Sequence, residues 1–284
     1  MTELYHSIVG LPSSGKTTFL AALWHLIDAG EVRTKLVLDR LVGDHTYLNT
    51  ITEAWRRCEE VPRTSRASET KLAIYVHEPT SGLKIALGFP DLSGESFEEQ
   101  FAARRCSLDY VDGFAGNGGI MLFVSANRRA DGLTLADLAP AIAGGEEPDQ
   151  QPAVREWVPS DVPQQVQLVD LLQFLQRPPF ARRRRRLAVI VSAWDLVLEP
   201  KPTPDQWLAR EMPLLHQFLM NNSESFCAQV YGVSAQGGDV KGAGRIALAR
   251  QTPSERIQCH GSGVDAHDLT APVVWISGAD FDDG

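Results

Sequence analysis

The segment Gly10-Leu11-Pro12-Ser13-Ser14-Gly15-Lys16-Thr17 sets two glycines, a lysine and a hydroxyl residue at the spacing GxxxxGK[ST]. That spacing is suited to phosphate binding. Glycines let the backbone wrap closely around phosphate oxygens, and the N–H groups of Ser13, Ser14, Gly15, Lys16, Thr17 and Thr18 then point inward at the start of a helix. Lys16 is expected to neutralise charge on β- and γ-phosphates while the Thr17 hydroxyl ligates Mg²⁺. An ordinary Gly/Ser turn before a helix is the simpler reading, but the segment follows a predicted strand and opens a predicted helix, the context that phosphate binding requires.

Three further groups lie downstream in an informative order. Asp91-Leu92-Ser93-Gly94-Glu95 ends a strand-like run. An aspartate at such a tip beside the phosphate loop holds Mg²⁺ through water, and the Gly94 N–H can meet a γ-phosphate; alternatively Asp91 caps the next helix. Ser192-Ala193-Trp194-Asp195 follows the apolar run Leu187 to Val191. The Asp195 carboxylate could accept two hydrogen bonds from the guanine ring N–H and amine, where adenine presents a lone pair. Ser234-Ala235-Gln236 follows another apolar run, placing backbone N–H groups of Ser234 and Ala235 where a guanine carbonyl could bind.

The elements that must carry these groups read as an α/β protein with a mainly parallel sheet. Strands are expected at Tyr5 to Val9, Lys71 to Val76, Leu83 to Phe89, Gly119 to Ser125, Leu187 to Val191 and Phe226 to Val233. The second and third form a hairpin through Glu78-Pro79-Thr80-Ser81-Gly82. Helical spacing predicts helices over 16–28, 45–60, 95–110, 164–176 and from Pro204 to Asn221. Residues 127–163, rich in Ala, Gly, Pro, Asp and Glu, read as an inserted loop, and residues 237–284 as a tail with little periodicity before the apolar segment Pro272 to Ile276. The expectation is one domain over 1–284.

Composition removes several classes of function. With 284 residues and 43 % apolar side chains the chain can bury a full-sized core. A net charge of −9 argues against a general nucleic-acid binder. Cys58, Cys106, Cys227 and Cys259 show no CxxC spacing, so neither disulfides nor a zinc site is indicated. No apolar run reaches the roughly 20 residues of a membrane span and no leader is evident, so a cytoplasmic protein is expected. The run Arg182 to Arg186 reads as a solvated rim, and Cys259, His260, Asp265, His267 and Asp268 fit no zinc pattern. Trp207 and Phe218 read as core.

A phosphate loop, a hairpin ending in DxxG, a strand ending in xxxD and a strand ending in SAx resemble, in that order, the TRAFAC class of GTPases, Ras-like small GTPases included, from residue 5 to about 236. More narrowly, SIVGLPSSGKTTFLAALWH with the downstream FPDLSGE is similar to the bacterial double-GTPase family, whose members act as paired switches in conflict or defence systems. The resemblance implies a Ras-like P-loop fold, with one antiparallel hairpin strand in a mainly parallel sheet and helices on both faces. It also implies GTP or GDP with Mg²⁺ as ligand, a protein partner, and switching of loops 60–70 and 93–106. The Mg²⁺-ligating switch threonine is expected before the first hairpin strand, at Thr64 rather than Thr70, with Arg63 beside it. Lys16, Glu95 and Thr64 are then the catalytic candidates, Thr17, Asp91 and Thr64 the metal ligands.

Three departures stand out. Ser192 and Ala193 replace the Asn and Lys of NKxD, which weakens the guanine reading and keeps a P-loop ATPase or kinase in play. Glu95 stands where Ras-like proteins place a water-orienting Gln, which keeps a binding module with negligible turnover in play. No long helix follows Ser234. The partner, the output and the homo- or hetero-oligomeric state are not encoded legibly.

Overall fold

The computed structural model describes residues 3–40, 45–62, 73–90, 95–127, 158–197, 200, 202–264 and 266–278. Apolar runs form the middle of an eight-stranded sheet, with order β2-β3-β4-β1-β5-β6-β7-β8. The strands are β1 (Leu4–Gly10), β2 (Val37–Arg40), β3 (Ala73–His77), β4 (Lys84–Gly88), β5 (Ile120–Ser125), β6 (Arg185–Ser192), β7 (Phe226–Ser234) and β8 (Gln258–His260). The β4-β1-β5-β6-β7 pairings are parallel, β3 runs antiparallel to β4, and the edge strands β2 and β8 are antiparallel to β3 and β7. This is the expected mainly parallel α/β architecture, extended by one short strand at each edge.

Alternation along β5 shows how the sheet divides two cores. Met121 and Phe123 face one cluster with Phe19, Leu20 and Leu23 of α1 (Lys16–Ala29) and Ile51 and Trp55 of α2 (Thr46–Arg56). Ile120, Leu122 and Val124 face the other with Leu168 and Leu172 of α5 (Gln164–Phe174). The second cluster also holds Phe97 of α3 (Glu95–Ala103) and Tyr110 of α4 (Leu108–Asp112), as well as Leu208 of α6 (Pro204–Glu211) and Leu215 of α7 (Pro213–Asn221). Strands buried on both faces read as unbroken apolar runs, so LAVIV and GIMLFVS stand out in the sequence. Trp207 belongs to this core and Phe218 packs at its edge.

Several expectations need correction. The stretch Pro204 to Asn221 is two helices, because Pro213 supplies no N–H and restarts the helix after Met212. The 95–110 segment likewise splits into α3 and α4. Residues after Ser234 are structured: α8 (Gly242–Leu248) and α9 (Pro253–Arg256) are followed by β8, which joins the sheet as its edge strand, and by α10 (Ala271–Ser277), which packs back on the sheet. The arginine run is a solvated rim only in part: Arg182 and Arg184 are exposed, whereas Arg183 and Arg185 turn inward. Arg185 is 2 % exposed and donates to the Ala181, Leu175 and Arg183 carbonyls, and Arg183 donates to those of Gly116 and Gly118. Among the described residues no metal-ligand cluster occurs, and Asp268 instead accepts bonds from Thr270 and the Lys35 N–H. No helix among them is long and apolar enough to cross a membrane. Most of 127–163 lies outside the described residues.

His6 on β1 is wholly buried. Its Nδ1 accepts from the Gly119 N–H at 2.8 Å, so the proton sits on Nε2, which meets Ser277 Oγ at 2.7 Å; that hydroxyl donates to Val273 O. This chain ties β1 to α10. Burial pushes the His6 imidazolium down to about 4. Between pH 6.5 and 4 the unfolded chain therefore binds a proton that the folded chain does not, and stability falls over that window. The gap corresponds to about 3 kcal/mol. Urea unfolding at pH 7, 5.5 and 4.5 should show wild type losing about 2 kcal/mol more by pH 4.5 than His6→Asn, which keeps an acceptor but does not titrate. Parallel losses would contradict it.

Candidate functional site

The turn from β1 into α1 is held against β5 and β6 more tightly than any side chain would permit. A Cβ on Gly10 would lie 2.7 Å from the Phe123 carbonyl oxygen, and one on Gly15 would lie 2.8 Å from Ser192 Cβ. Gly15 also has φ 90°, in the left-handed region where glycine carries no steric penalty. It precedes α1 with no side-chain cap and no acidic residue in the first helical turn. The N-terminus of α1 therefore keeps its positive end open to an anion. Ser192 Oγ donates to the Ser14 carbonyl at 2.7 Å and fixes the loop to the end of β6. Ser14 Oγ is buried without a hydrogen-bond partner, a polar atom for which a bound oxyanion would supply one.

Lys16 folds back into the loop itself. It is 3 % exposed, and its Nζ donates to Gly10 O at 2.6 Å and Leu11 O at 2.9 Å. The ammonium thus stitches the loop to itself, since a buried charge must find acceptors. Thr17 and Thr18 are half-buried in the same first turn.

A cavity of about 800 Å³ opens beside this loop. Ser13, Gly15 and Thr18 of the loop line it together with Asp195, Ser234 and Ala235. Asp195 sits in a 3-10 turn, Trp194–Leu196, set up by Ala193 in the left-handed conformation at φ 54°. Ser234 Oγ donates to Asp195 Oδ1 at 2.5 Å and accepts from the Gly237 N–H at 3.1 Å. A carboxylate has about four acceptor positions, so this bond orients Asp195 and leaves capacity for two more donors. The next residue is braced as well: Trp55 Nε1 donates to the Ala235 carbonyl at 3.0 Å. Arg256, stacked over the Trp55 ring at 4.7 Å, donates to Trp55 O. Substituents are excluded at Gly237, where a Cβ would lie 2.4 Å from the Arg256 carbonyl oxygen.

The sequence-predicted residues thus divide. Gly10, Ser13, Ser14, Gly15, Lys16, Thr17 and Thr18 form one loop and the first turn of α1, and Asp195, Ser234 and Ala235 line the cavity that the loop borders. Thr64, Asp91 and Gly94 lie outside the described residues, and Glu95 is described only as the first residue of α3. Sequence reasoning missed Ser125 and Asn127 after β5, Glu59, Glu60 and Val61 after α2, and Lys241, all of which line the cavity. Ser125 had a usable signal, since ligands in open α/β sheets bind outside the carboxyl ends of the strands. Glu60 and Lys241 pair at 2.7 Å across the rim, where such exposed pairs contribute little stability.

Because Lys16 holds two carbonyls in place, Lys16→Ala should lower the stability of the nucleotide-free chain by about 2 kcal/mol, the scale of lost hydrogen bonds from a charged donor. Urea unfolding of wild type and variant measures this. Identical midpoints would mean that Lys16 contributes nothing to the loop in the absence of ligand.

The Double-GTPase 1 family model matches residues 7–276. A comparison with curated proteins finds no match. Among solved structures, the chain is similar to the S. cerevisiae Ski7 GTPase-like domain bound to GTP, at 14 % identity and TM-score 0.43 over 83 % of this chain and 43 % of that one. It is also similar to the Arl6 BBS3 small GTPase from Trypanosoma brucei with bound GppNp, at 11 % identity and TM-score 0.38 over 88 % and 100 %. A third is Methanosarcina barkeri Roco2 RocCORdC bound to GDP, at 12 % identity and TM-score 0.36 over 90 % and 49 %. The chain thus spans less than half of the Ski7 chain that it matches. The family model runs through the phosphate loop, Asp195 and Ser234 in one continuous match, and the chain belongs to the Double-GTPase 1 family.

Proposed function

We propose that the protein is a regulatory GTPase that binds GTP with Mg²⁺, hydrolyses it slowly, and signals the state of the nucleotide to a protein partner. One observation carries the reading: a single cavity is lined both by a phosphate-type loop and by an oriented carboxylate, Asp195. The loop's N–H groups and Lys16 would receive the phosphates, with Lys16 exchanging carbonyl partners for phosphate oxygens. Ser14 Oγ, buried and unpartnered, fits the same ligand. Asp195 would accept from the guanine N–H groups, and backbone N–H groups of Ser234 and Ala235 would donate to its carbonyl. Thr17 at the start of α1, with Asp91 and Thr64, would hold Mg²⁺, which when bound neutralises charge between the β- and γ-phosphates. Glu95 would orient water, with a carboxylate in that place favouring slow turnover. The family also supports a role in bacterial conflict or defence systems.

A P-loop ATPase differs on one point, since Ser192 and Ala193 leave only Asp195 to select the base. Two hydrogen bonds to a charged group at roughly 1.5–3 kcal/mol each should separate GTP from ATP by at least about a hundredfold. Asp195→Asn turns one acceptor into a donor, matching the carbonyl that xanthine carries in place of the guanine amine. Calorimetric titration should show lost GTP affinity and gained affinity for xanthosine triphosphate in the variant. Equal wild-type affinities for GTP and ATP, or no gain for xanthosine triphosphate, would move the ATPase reading ahead.

The switch component has its own test. Loops 60–70 and 93–106 should exchange amide hydrogens more slowly with a non-hydrolysable GTP analogue than with GDP, through bonds from Thr64 and Gly94 to Mg²⁺ and the γ-phosphate. Equal protection in the two states would leave a static binding module.

A further inference from the structure

A second cleft lies at the opposite end of the sheet. It opens where β1, β5 and β6 begin, beside Leu4, Gly119 and Arg186, so the length of β1, about 20 Å, separates it from the phosphate loop. Its volume is about 670 Å³, well inside the range of small-ligand sites. Leu4, Leu83, Val274 and Ile276 supply apolar wall and Arg184 and Arg186 supply cations, while Lys84 at the lip is paired with Asp39 at 3.3 Å. The acid at the lip, Glu78, is engaged by the Ser81 hydroxyl.

The arginine run builds this cleft. Arg183 draws the carbonyls of Gly116 and Gly118 together and so shapes the wall that Asn117 and Gly118 form. Arg185, buried beneath, donates to the Ala181 and Leu175 carbonyls. Arg186 donates to the Trp275 carbonyl at 2.8 Å, with its guanidinium 5.5 Å over the Trp275 ring. Gly278 passes so close that a Cβ there would lie 2.7 Å from an Arg186 terminal nitrogen. Arg183 and Arg185 thus meet neutral carbonyls in these bonds, so their charge is solvated by dipoles and not cancelled. Burial, with Arg183 adding to it, pulls Arg185 down to about 10, which still leaves it charged at neutral pH. In a protein of net charge −9, a concave site framed by like cations concentrates positive potential at one place.

We propose that this cleft is a second ligand site that takes a small amphipathic anion, with a carboxylate or phosphate head on Arg184 and Arg186 and an apolar body on Leu83, Val274 and Ile276. The site stands independently of how the nucleotide cavity is read. Octanoate, octyl phosphate and octanol serve as probes in calorimetric titrations of the full chain. Both anions should bind saturably, and octanol at least about tenfold more weakly, the factor expected for losing one hydrogen bond to a charged group. Whichever anion binds tighter identifies the head group as carboxylate or phosphate. Arg184→Ala alters an exposed side chain and should weaken both anions by about tenfold. Val274→Trp should fill the cleft and abolish binding, with melting temperature checked for both variants. Nucleotide affinity should be unchanged in Arg184→Ala. No saturable binding at millimolar probe, equal binding of octanol, or unaltered affinity in Arg184→Ala would overturn the proposal.

Discussion

The approach of the β1–α1 turn to the ends of β5 and β6 leaves no volume for a side chain at Gly10 or Gly15, and the rest of the site is arranged around that contact. It lets Ser192 reach the Ser14 carbonyl, and it brings Lys16 back onto the carbonyls of Gly10 and Leu11. A turn held this way is organised before any ligand arrives, so little ordering entropy remains to be lost on binding. The two apolar clusters supply the rigidity. Phe123 on β5 packs edge-on against Phe19 of α1 at 5.0 Å between ring centroids, so strand and helix hold the turn from both sides.

The cavity wall around Asp195 is fixed by different means. Polar bonds run from Asp195 to Ser234 and from Ser234 to Gly237, while Trp55 and Arg256 brace Ala235 and Gly237 from α2 and α9. Networks of this kind specify geometry because each member would be costly to leave unpaired once buried. Glu59, Glu60 and Val61 continue directly from the helix that carries Trp55 and line the same cavity. The chain leading toward Thr64 is therefore attached to the wall at which the base would be read, and bracing and switching would share one element in the proposed cycle.

How much of this was legible in the sequence depended on the physics that positions each part. Strands buried on both faces read as plain apolar runs, and the phosphate loop is local, since seven contiguous spacings define it. The edge strands did not show: β2 is four residues, none of them fully buried, and β8 is three residues. The break at Pro213 was available from residue type alone but was outweighed by the apolar spacing on either side. The burial of Arg185 and Lys16 does not show in the sequence, for one reason. Charged side chains are usually solvated, and only tertiary structure shows which carbonyls surround an exception. Ser192 looked like the loss of an asparagine, and its bond to Ser14 comes from the meeting of two segments 178 residues apart. The order of the four motifs carried the family, and the matched span of 7–276 agrees with it.

The central claim is that the cavity between the phosphate loop and Asp195 holds a guanine nucleotide. The most direct measurement is to denature freshly purified protein and identify the released nucleotide by anion-exchange chromatography and mass spectrometry. The account predicts GDP or GTP from wild type and a marked loss of guanine nucleotide from Asp195→Asn. Recovery of ADP or ATP from wild type would contradict it.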